Sequence, residues 1–184
     1  PGPDISERGL RPTAGEAAKK LTTLYLMITA AALGGYLLGG MGPFDAVNHA
    51  FSVVATGGFS TKDESIAAFA TPFIEWWTIL IMVMVGLNFT LLGQLLRGRL
   101  GVLRDLETKT YLGLKITCSV LTALVLTFSL TVWQDTAGTE HTGFFAALRH
   151  GTFATVAMQT GTGFCLSDYS CLLYTSPSPR DATL

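Results

Sequence analysis

Residues 55–60 read ATGGFS and residues 160–164 read TGTGF, so one glycine-rich pattern occurs twice in this chain. Each copy follows an apolar segment, residues 44–55 and residues 143–159, that is too short to cross a bilayer as a helix, because a membrane helix needs about 20 residues. Glycine-rich backbone lies at membrane depth only where its peptide groups face protein or a water-filled path. The two copies therefore predict two re-entrant pore loops.

The composition indicates a membrane protein. Hydrophobic residues make up 49% of the 184 residues and charged residues 14%, against about 25% charged residues in a soluble domain. The three cysteines, Cys118, Cys165 and Cys171, have neither disulfide nor metal-ligand spacing. No nucleophile with a base, no carboxylate pair and no metal cluster emerges from the sequence, so it predicts neither an enzyme nor a resident cofactor.

The order of the apolar segments predicts an all-α integral membrane fold. Segments at residues 21–38, 72–96 and 111–133 have the length of membrane spans. A short pore helix and a glycine loop follow the first and the third of them, with pore helices at residues 44–55 and 143–159. The order of span, pore helix, filter loop and span thus starts a second time and stops one helix early. Self-similarity of this kind predicts an internal repeat, present here about one and a half times.

These segments divide the chain into five regions. We predict a cytoplasmic linker at residues 1–20, a first repeat at 21–97, a cytoplasmic connector at 98–109 and a second, incomplete repeat at 110–170. Residues 171–184 are polar and contain prolines where an apolar helix is expected, so we interpret them as a non-native tail. The chain has no initiator Met and no signal peptide, which is typical of a fragment of a longer protein.

Basic residues predict the orientation in the membrane. Cytoplasmic loops carry an excess of Lys and Arg. Residues 1–20 and 97–109 hold eight of them, whereas the loops on the opposite side hold Lys62 and Arg149. Both glycine loops are therefore predicted to open toward the outer side. The eight basic residues are Arg8, Arg11, Lys19, Lys20, Arg97, Arg99, Arg104 and Lys109.

Backbone in these loops suits the binding of a dehydrated cation. A ring of carbonyl oxygens from converging loops can replace the water shell of an ion, and glycine adopts the backbone conformations that this arrangement requires. The C-terminal end of each short helix also carries about half a negative charge, which favours cations. We predict that the ion-binding backbone groups belong to Ala55, Thr56, Gly57, Gly58, Thr160, Gly161, Thr162 and Gly163, with Phe59 and Phe164 as packing anchors that support the filter.

Other polar residues in the apolar segments have simpler interpretations. Asn48 and His49 are predicted to be hydrogen-bonded structural groups, and Asp45 favours the start of the first pore helix. Lys115 is predicted to extend its ammonium toward lipid headgroups. Asn88 is predicted to bond a neighbouring helix and has no assigned ion role.

These residues resemble the Trk/Ktr/HKT superfamily of potassium transporters, and most closely its TrkH-type subunits. The resemblance lies in PGP at residues 1–3, in FDA at 44–46 with His49 and Phe51, and in TGGFST at 56–61 with Asp63. Residues up to about 108 look like the second of the four span–pore–span repeats of that family, and residues 109–170 look like the start of the third. The second loop departs from the family pattern at Gly161, where a Thr is usual.

The resemblance implies a potassium-channel-like fold in which four repeats surround one pore and each contributes a filter glycine. Gly58 and Gly163 match two of these glycines. It also implies K⁺ as the transported ion, a homodimer of the full-length protein, a cytosolic nucleotide-binding regulatory subunit, and a multi-pass protein of the bacterial inner membrane, with no nucleic acid as a partner. Two filter quarters cannot close a pore, so the fragment alone is expected to be inactive.

Several alternatives stay open at this point. A single glycine pair after an apolar segment is commonly a turn, and only the second copy on the same side favours a filter. The chain could instead be a non-conducting membrane scaffold that binds partner proteins through its re-entrant helices. The sequence does not distinguish potassium from sodium or a channel from a carrier, since interrupted helices also occur at the substrate sites of secondary transporters.

Overall fold

The computed structural model describes residues 14–69, 71–95, 98, 101, 105–129, 133–134, 140–141 and 143–166. The fold is helical apart from one very short antiparallel ribbon. Its elements in chain order are α1 (Ala14–Leu38), α2 (Pro43–Val54), a 3₁₀ helix (Ser65–Phe69), α3 (Pro72–Val85), α4 (Phe89–Leu95), α5 (Leu106–Ser129), β1 (Trp133–Gln134), β2 (Glu140–His141) and α6 (Phe144–Thr160). Residues 1–13 and 167–184, which include the predicted tail, lie outside the described residues.

Two of these helices are long and apolar enough to cross a membrane, as judged by length and composition among the described residues. They are Ala18–Leu38 within α1 and Leu106–Phe128 within α5. Helix α1 begins at Ala14, earlier than the predicted start of the first span at residue 21, so the last residues of the predicted linker are helical. Large apolar side chains such as Leu26 and Phe128 are 64% and 84% exposed, as expected where a helix faces lipid.

Helices α1, α2 and α3 form the first repeat around a shared apolar core. Helix α2 begins with Pro43 at its first turn and Asp45 close behind it, an arrangement that suits the unpaired amides and the positive end of the helix dipole. Across the core, the Tyr36 hydroxyl lies 3.1 Å from the Thr78 hydroxyl, and Trp77 Nε1 donates to the Ala32 carbonyl at 3.3 Å. These bonds fix α1 against α3.

The second predicted span, residues 72–96, is not one helix. Helix α3 ends at Val85, Gly86 forms its C-terminal cap, and α4 begins at Phe89. The cause is a side chain from another helix: the Tyr111 hydroxyl donates to the Val83 carbonyl at 3.1 Å, and the Leu87 amide bonds to Met84 O at 3.3 Å. A helix breaks where a side chain enters its ladder of hydrogen bonds, so the prediction of one continuous helix is wrong.

Helices α5 and α6 pack against each other as the second repeat, and α6 also packs against α3 of the first. The hydroxyls of Thr122 and Thr155 lie 3.2 Å apart across the α5–α6 contact. Between these helices, β1 pairs antiparallel with β2 in the register Trp133↔His141 and Gln134↔Glu140. Helix α5 extends to Ser129, and Trp133, the last residue of the predicted third span at 111–133, belongs to β1 instead of a helix.

Candidate ion-binding loops

The two glycine loops lie at the C-terminal ends of α2 and α6 and contact each other directly. A Cβ placed on Gly58 would collide with the carbonyl oxygen of Thr162 and would lie 3.1 Å from the carbonyl carbon of Gly163. Just beyond the second loop, the Cys165 amide donates to the Ser65 hydroxyl at 3.3 Å. The fold thus brings together two loops that are about one hundred residues apart in the sequence.

The first loop leaves α2 through a left-handed turn. Ala55 caps the helix, the Thr56 amide donates to Val53 O at 3.2 Å, and the Gly57 amide donates to Ser52 O at 2.8 Å. This pair of bonds is the Schellman motif, in which the first residue after the cap is left-handed. That residue is Thr56, with φ of 52°, although a side chain there costs energy that glycine avoids.

The second loop also leaves its helix through a left-handed residue, but its second bond differs, because the Gly163 amide donates to Ala157 O at 3.3 Å. Gly161 follows α6 in the left-handed region, with φ of 71°, and its amide donates to Met158 O at 3.1 Å. Gly161 is therefore the counterpart of Thr56. Glycine adopts this backbone conformation without steric cost. The hydroxyls of Thr160 and Thr162 lie 2.8 Å apart and form a hydrogen bond across the turn.

Each loop contains a second left-handed residue, a glycine in both cases, but the surroundings of the two glycines differ. Gly58 has φ of 66° and Gly163 has φ of 76°. No atom lies within 4 Å of a Cβ placed on Gly163, whereas the one placed on Gly58 meets Thr162. Glycine at position 58 is thus required by both backbone conformation and space, and glycine at position 163 by backbone conformation alone.

An ion pair joins the second pore helix to the first repeat. Arg149 Nε lies 2.6 Å from Glu75 Oε2, and the two side chains are 17% and 7% exposed. Glu75 is in the first turn of α3 and Arg149 is near the start of α6. The distribution of basic residues predicts only an outer loop position for Arg149 and makes no prediction for Glu75. A carboxylate within an apolar segment is itself a signal of a paired or functional charge, but it does not identify Arg149 as the partner.

Lys115 is buried rather than extended toward lipid headgroups. Its side chain is 4% exposed, its ammonium lies 4.6 Å from the centre of the Tyr111 ring, and Nζ is 3.5 Å from Gln159 Oε1. The prediction for Lys115 is therefore wrong. The Tyr111 ring of α5 and the side-chain amide oxygen of Gln159 at the end of α6 are partners for the ammonium inside the fold.

His49 and Asn48, in contrast, are hydrogen bonded as predicted. Asn48 Nδ2 donates to Phe44 O at 2.7 Å within α2. His49 is fully buried and bonds to Asp45 O and to the Ser60 hydroxyl. Asn88 lies in the break between α3 and α4, and its Nδ2 donates to Glu107 Oε1 of α5 at 3.2 Å, which is the predicted bond to a neighbouring helix.

Comparison with known proteins identifies the family. The family model for TrkH, described as a cation transport protein, matches residues 21–174. The chain belongs to the TrkH family. It is 37% identical over 86% of its length to the Trk system potassium uptake protein TrkI of Halomonas elongata, and 36% identical over 84% of its length to the Trk system potassium uptake protein TrkH of Escherichia coli K12. These matches cover 30% and 32% of the two relatives, so the chain spans about a third of their length.

The fold agrees with this family. The crystal structure of the potassium transporter TrkH from Vibrio parahaemolyticus matches with a TM-score of 0.73 and 29% identity over 85% of this chain and 32% of that one. The prediction of an all-α membrane fold made of span and pore-helix repeats is therefore confirmed. The matching family is described as a cation transport protein and not as an enzyme.

The predicted site residues of this TrkH-family chain differ in exposure. Among the predicted backbone groups, Thr162 is buried, Thr56, Gly58 and Thr160 are partly exposed, and Ala55, Gly57, Gly161 and Gly163 are exposed. The two predicted supporting aromatics also differ, since the Phe164 ring is fully buried and the Phe59 side chain is 81% exposed. Support of the filter by Phe59 stays a prediction, and the exposure of this side chain does not favour it. No group of three His, Cys, Asp or Glu side chains that could hold a metal occurs in the described part of the chain.

Proposed function

We propose that the full-length protein containing this chain takes up potassium ions across the bacterial inner membrane, and that the two glycine loops each supply one quarter of its selectivity filter. The contact between Gly58 and the Thr162–Gly163 backbone carries this proposal. Two loops that contribute carbonyl oxygens to one filter must lie next to each other. The curated relatives that match are named potassium uptake proteins, which gives the ion.

The proposed ion-binding groups are the backbone oxygens of residues 55–58 and 160–163, with no side-chain metal site. Both loops follow helix C-termini, where unpaired carbonyls and about half a negative charge favour a cation. The left-handed residues after each helix reverse the chain within one turn, so that both loops return toward the side from which the short helices came. Asp63 and Glu64, which follow the first loop, are exposed and would raise the local concentration of cations at the outer mouth.

The rest of the assembly is inferred from the family. Two quarters do not enclose an ion, so the remaining repeats of the parent subunit are required. Membrane lipid would cover the exposed apolar side chains of α1 and α5. A homodimer of the full-length protein and a cytosolic nucleotide-binding regulatory subunit would complete the transporter.

Rubidium uptake into vesicles that contain the full-length protein tests this function. We expect uptake well above that of empty vesicles, and its loss in Gly58→Val, because a β-branched residue in the left-handed region would also collide with Thr162. Gly15→Val is the matched control, since Gly15 is exposed and no atom lies within 4 Å of a Cβ placed there. Absence of uptake by the unmodified protein would favour the scaffold alternative. Full uptake by inserted Gly58→Val would contradict the filter assignment.

A further inference from the structure

His49 lies behind the first glycine loop and contacts both halves of the proposed filter. It is fully buried. Its ring stacks on Phe164 with 5.8 Å between ring centres and 22° between planes. It also meets Phe69 edge-on at 5.2 Å and Tyr36 at 6.3 Å. Residues from α1, the 3₁₀ helix and the second loop thus enclose one imidazole that belongs to α2.

The hydrogen bonds of His49 fix the tautomer of its ring. Nδ1 lies 2.7 Å from the Asp45 carbonyl oxygen, which can only accept, so Nδ1 carries the proton. In the neutral ring, Nε2 is then an acceptor, and it receives the Ser60 hydroxyl at 2.9 Å. The Ser60 oxygen in turn accepts the Lys62 amide at 3.1 Å. Donor and acceptor roles therefore agree along the whole chain of bonds, which holds Ser60 at a fixed distance from α2.

We propose that His49 is a positioning residue that sets the spacing between the two loops and thereby the selectivity of the filter for potassium over sodium. This inference rests on the proposed function. Ser60 lies two residues after Gly58, and Phe164 directly follows Gly163. A hydrogen bond to the first loop and a ring contact to the second therefore act on both loops next to the point where Gly58 contacts Thr162. The number and position of the carbonyl oxygens around an ion decide which cation fits.

A second histidine provides the matched control. His49 is the seventh residue of α2 and His150 is the seventh residue of α6, and both are buried. However, α6 has 17 residues and α2 has 12. His49 lies five residues before the end of its helix, about 7.5 Å, whereas His150 lies ten residues before the end of α6, about 15 Å. Replacing His150 removes an equivalent buried ring farther from its own loop.

Three variants of the full-length protein separate the two contacts of His49. His49→Phe keeps a ring against Phe164 and loses both hydrogen bonds. His49→Gln can reach Ser60 but has no ring. Ser60→Ala removes the hydrogen-bond partner and leaves the histidine in place. The measurement is the ratio of rubidium to sodium uptake in vesicles, normalised to the amount of inserted protein.

We expect His49→Phe and Ser60→Ala each to lower this ratio about five-fold, and the double variant to lower it no further, because both remove the same hydrogen bond between His49 and Ser60. His49→Gln should retain more of the ratio than His49→Phe, and His150→Gln should leave it unchanged. Ratios equal to that of the unmodified protein in both His49→Phe and Ser60→Ala, or fully additive losses in the double variant, would overturn the proposal. If His49→Phe fails to insert, Ser60→Ala alone decides.

These outcomes are distinguishable from failure of the proposed function. If the unmodified protein takes up no rubidium, the transport assignment itself is wrong, and the role of His49 falls with it. If the unmodified protein takes up rubidium and discriminates against sodium, an unchanged ratio in the variants overturns only the role assigned to His49.

Discussion

The two pore helices both end with a residue in the left-handed backbone region, but the residue differs between them. Each helix ends in a turn with one left-handed residue, which is Thr56 after the Ala55 cap of α2 and the cap Gly161 itself in α6, and each loop has a left-handed glycine two residues later. The first helix has 12 residues and places Thr56 in the turn, and the second has 17 residues and places Gly161 there. The common backbone indicates a common task, and the differences show where each loop depends on its neighbours.

The two helices are also held in place differently. Arg149 is the sixth residue of α6 and forms the buried ion pair with Glu75 of the first repeat. Asn48, the sixth residue of α2, bonds only within its own helix among the contacts seen in the described residues. The first loop is held instead by His49 and by direct contact with the second loop. A change at Arg149 should therefore act on the whole second repeat, and a change at Asn48 on little beyond its own helix.

The largest effect is expected from Arg149→Ala. Removing one partner of a buried ion pair typically costs about 3–5 kcal/mol, because the other charge stays in a dry environment. We expect a marked loss of thermal stability of the full-length protein in detergent, measured as a lower Tm, with reduced insertion in cells. Asn48→Ala is the matched control at the same helix position, and its expected cost is about 1 kcal/mol. Equal effects of the two changes would contradict the difference between the helices.

A smaller but more localised effect is expected from alanine at the two filter glycines. A residue with a side chain in the left-handed region costs about 1–2 kcal/mol, which applies to both Gly58→Ala and Gly163→Ala. Only Gly58→Ala also collides with Thr162. We expect rubidium uptake to fall about tenfold or less in Gly163→Ala, and to be lost in Gly58→Ala.

Both glycine variants should insert in the membrane normally, since neither position lies in the helical core. Uptake per inserted protein is therefore the quantity to compare. If Gly163→Ala were the more severe change, the contact between the two loops would not be what distinguishes them.

Much of this architecture could be predicted from local sequence. The short helices follow from the length of the apolar segments, and the glycine loops follow from residues that need left-handed backbone. Both are properties of a few neighbouring residues. The buried ion pair is not local, because Glu75 and Arg149 are far apart in the chain and each alone suggests only an isolated charge.

The two wrong predictions, a continuous second span and an exposed Lys115, concern features that depend on a contact with another helix. The break in α3 depends on the Tyr111 hydroxyl, which comes from α5. The apolar sequence around Val83 is compatible with a continuous span. Burial of Lys115 likewise depends on the position of Gln159 at the end of α6. A lysine near the end of a span has two low-energy positions, and only the tertiary contacts select one of them.

Tyr111→Phe tests how the second repeat acts on the first. The change removes the hydrogen bond to Val83 O and leaves the ring in place, which should cost about 1 kcal/mol. It also frees Val83 O to accept the Leu87 amide, so the break after Val85 should become more helical. Slower amide hydrogen exchange at residues 86–88 would support this account of the break. Unchanged exchange together with an unchanged Tm would show that Gly86 alone ends the helix.

The smallest effect is expected from exchanging the residues of the two left-handed turns. Thr56→Gly relieves a side chain from the left-handed region, a gain of about 1–2 kcal/mol, but glycine loses more backbone entropy on folding, a cost of about 0.5–1 kcal/mol. The net change in stability should therefore be a gain between about 0 and 1.5 kcal/mol. Gly161→Thr makes the opposite exchange and should destabilise by a similar amount. A rise in Tm for Thr56→Gly and a fall for Gly161→Thr would show that the two turns are equivalent. If Thr56→Gly instead lowered both Tm and rubidium uptake, the bond from the Thr56 hydroxyl to Ala55 O at 2.7 Å would outweigh the backbone cost, and the first loop would then depend on its threonine.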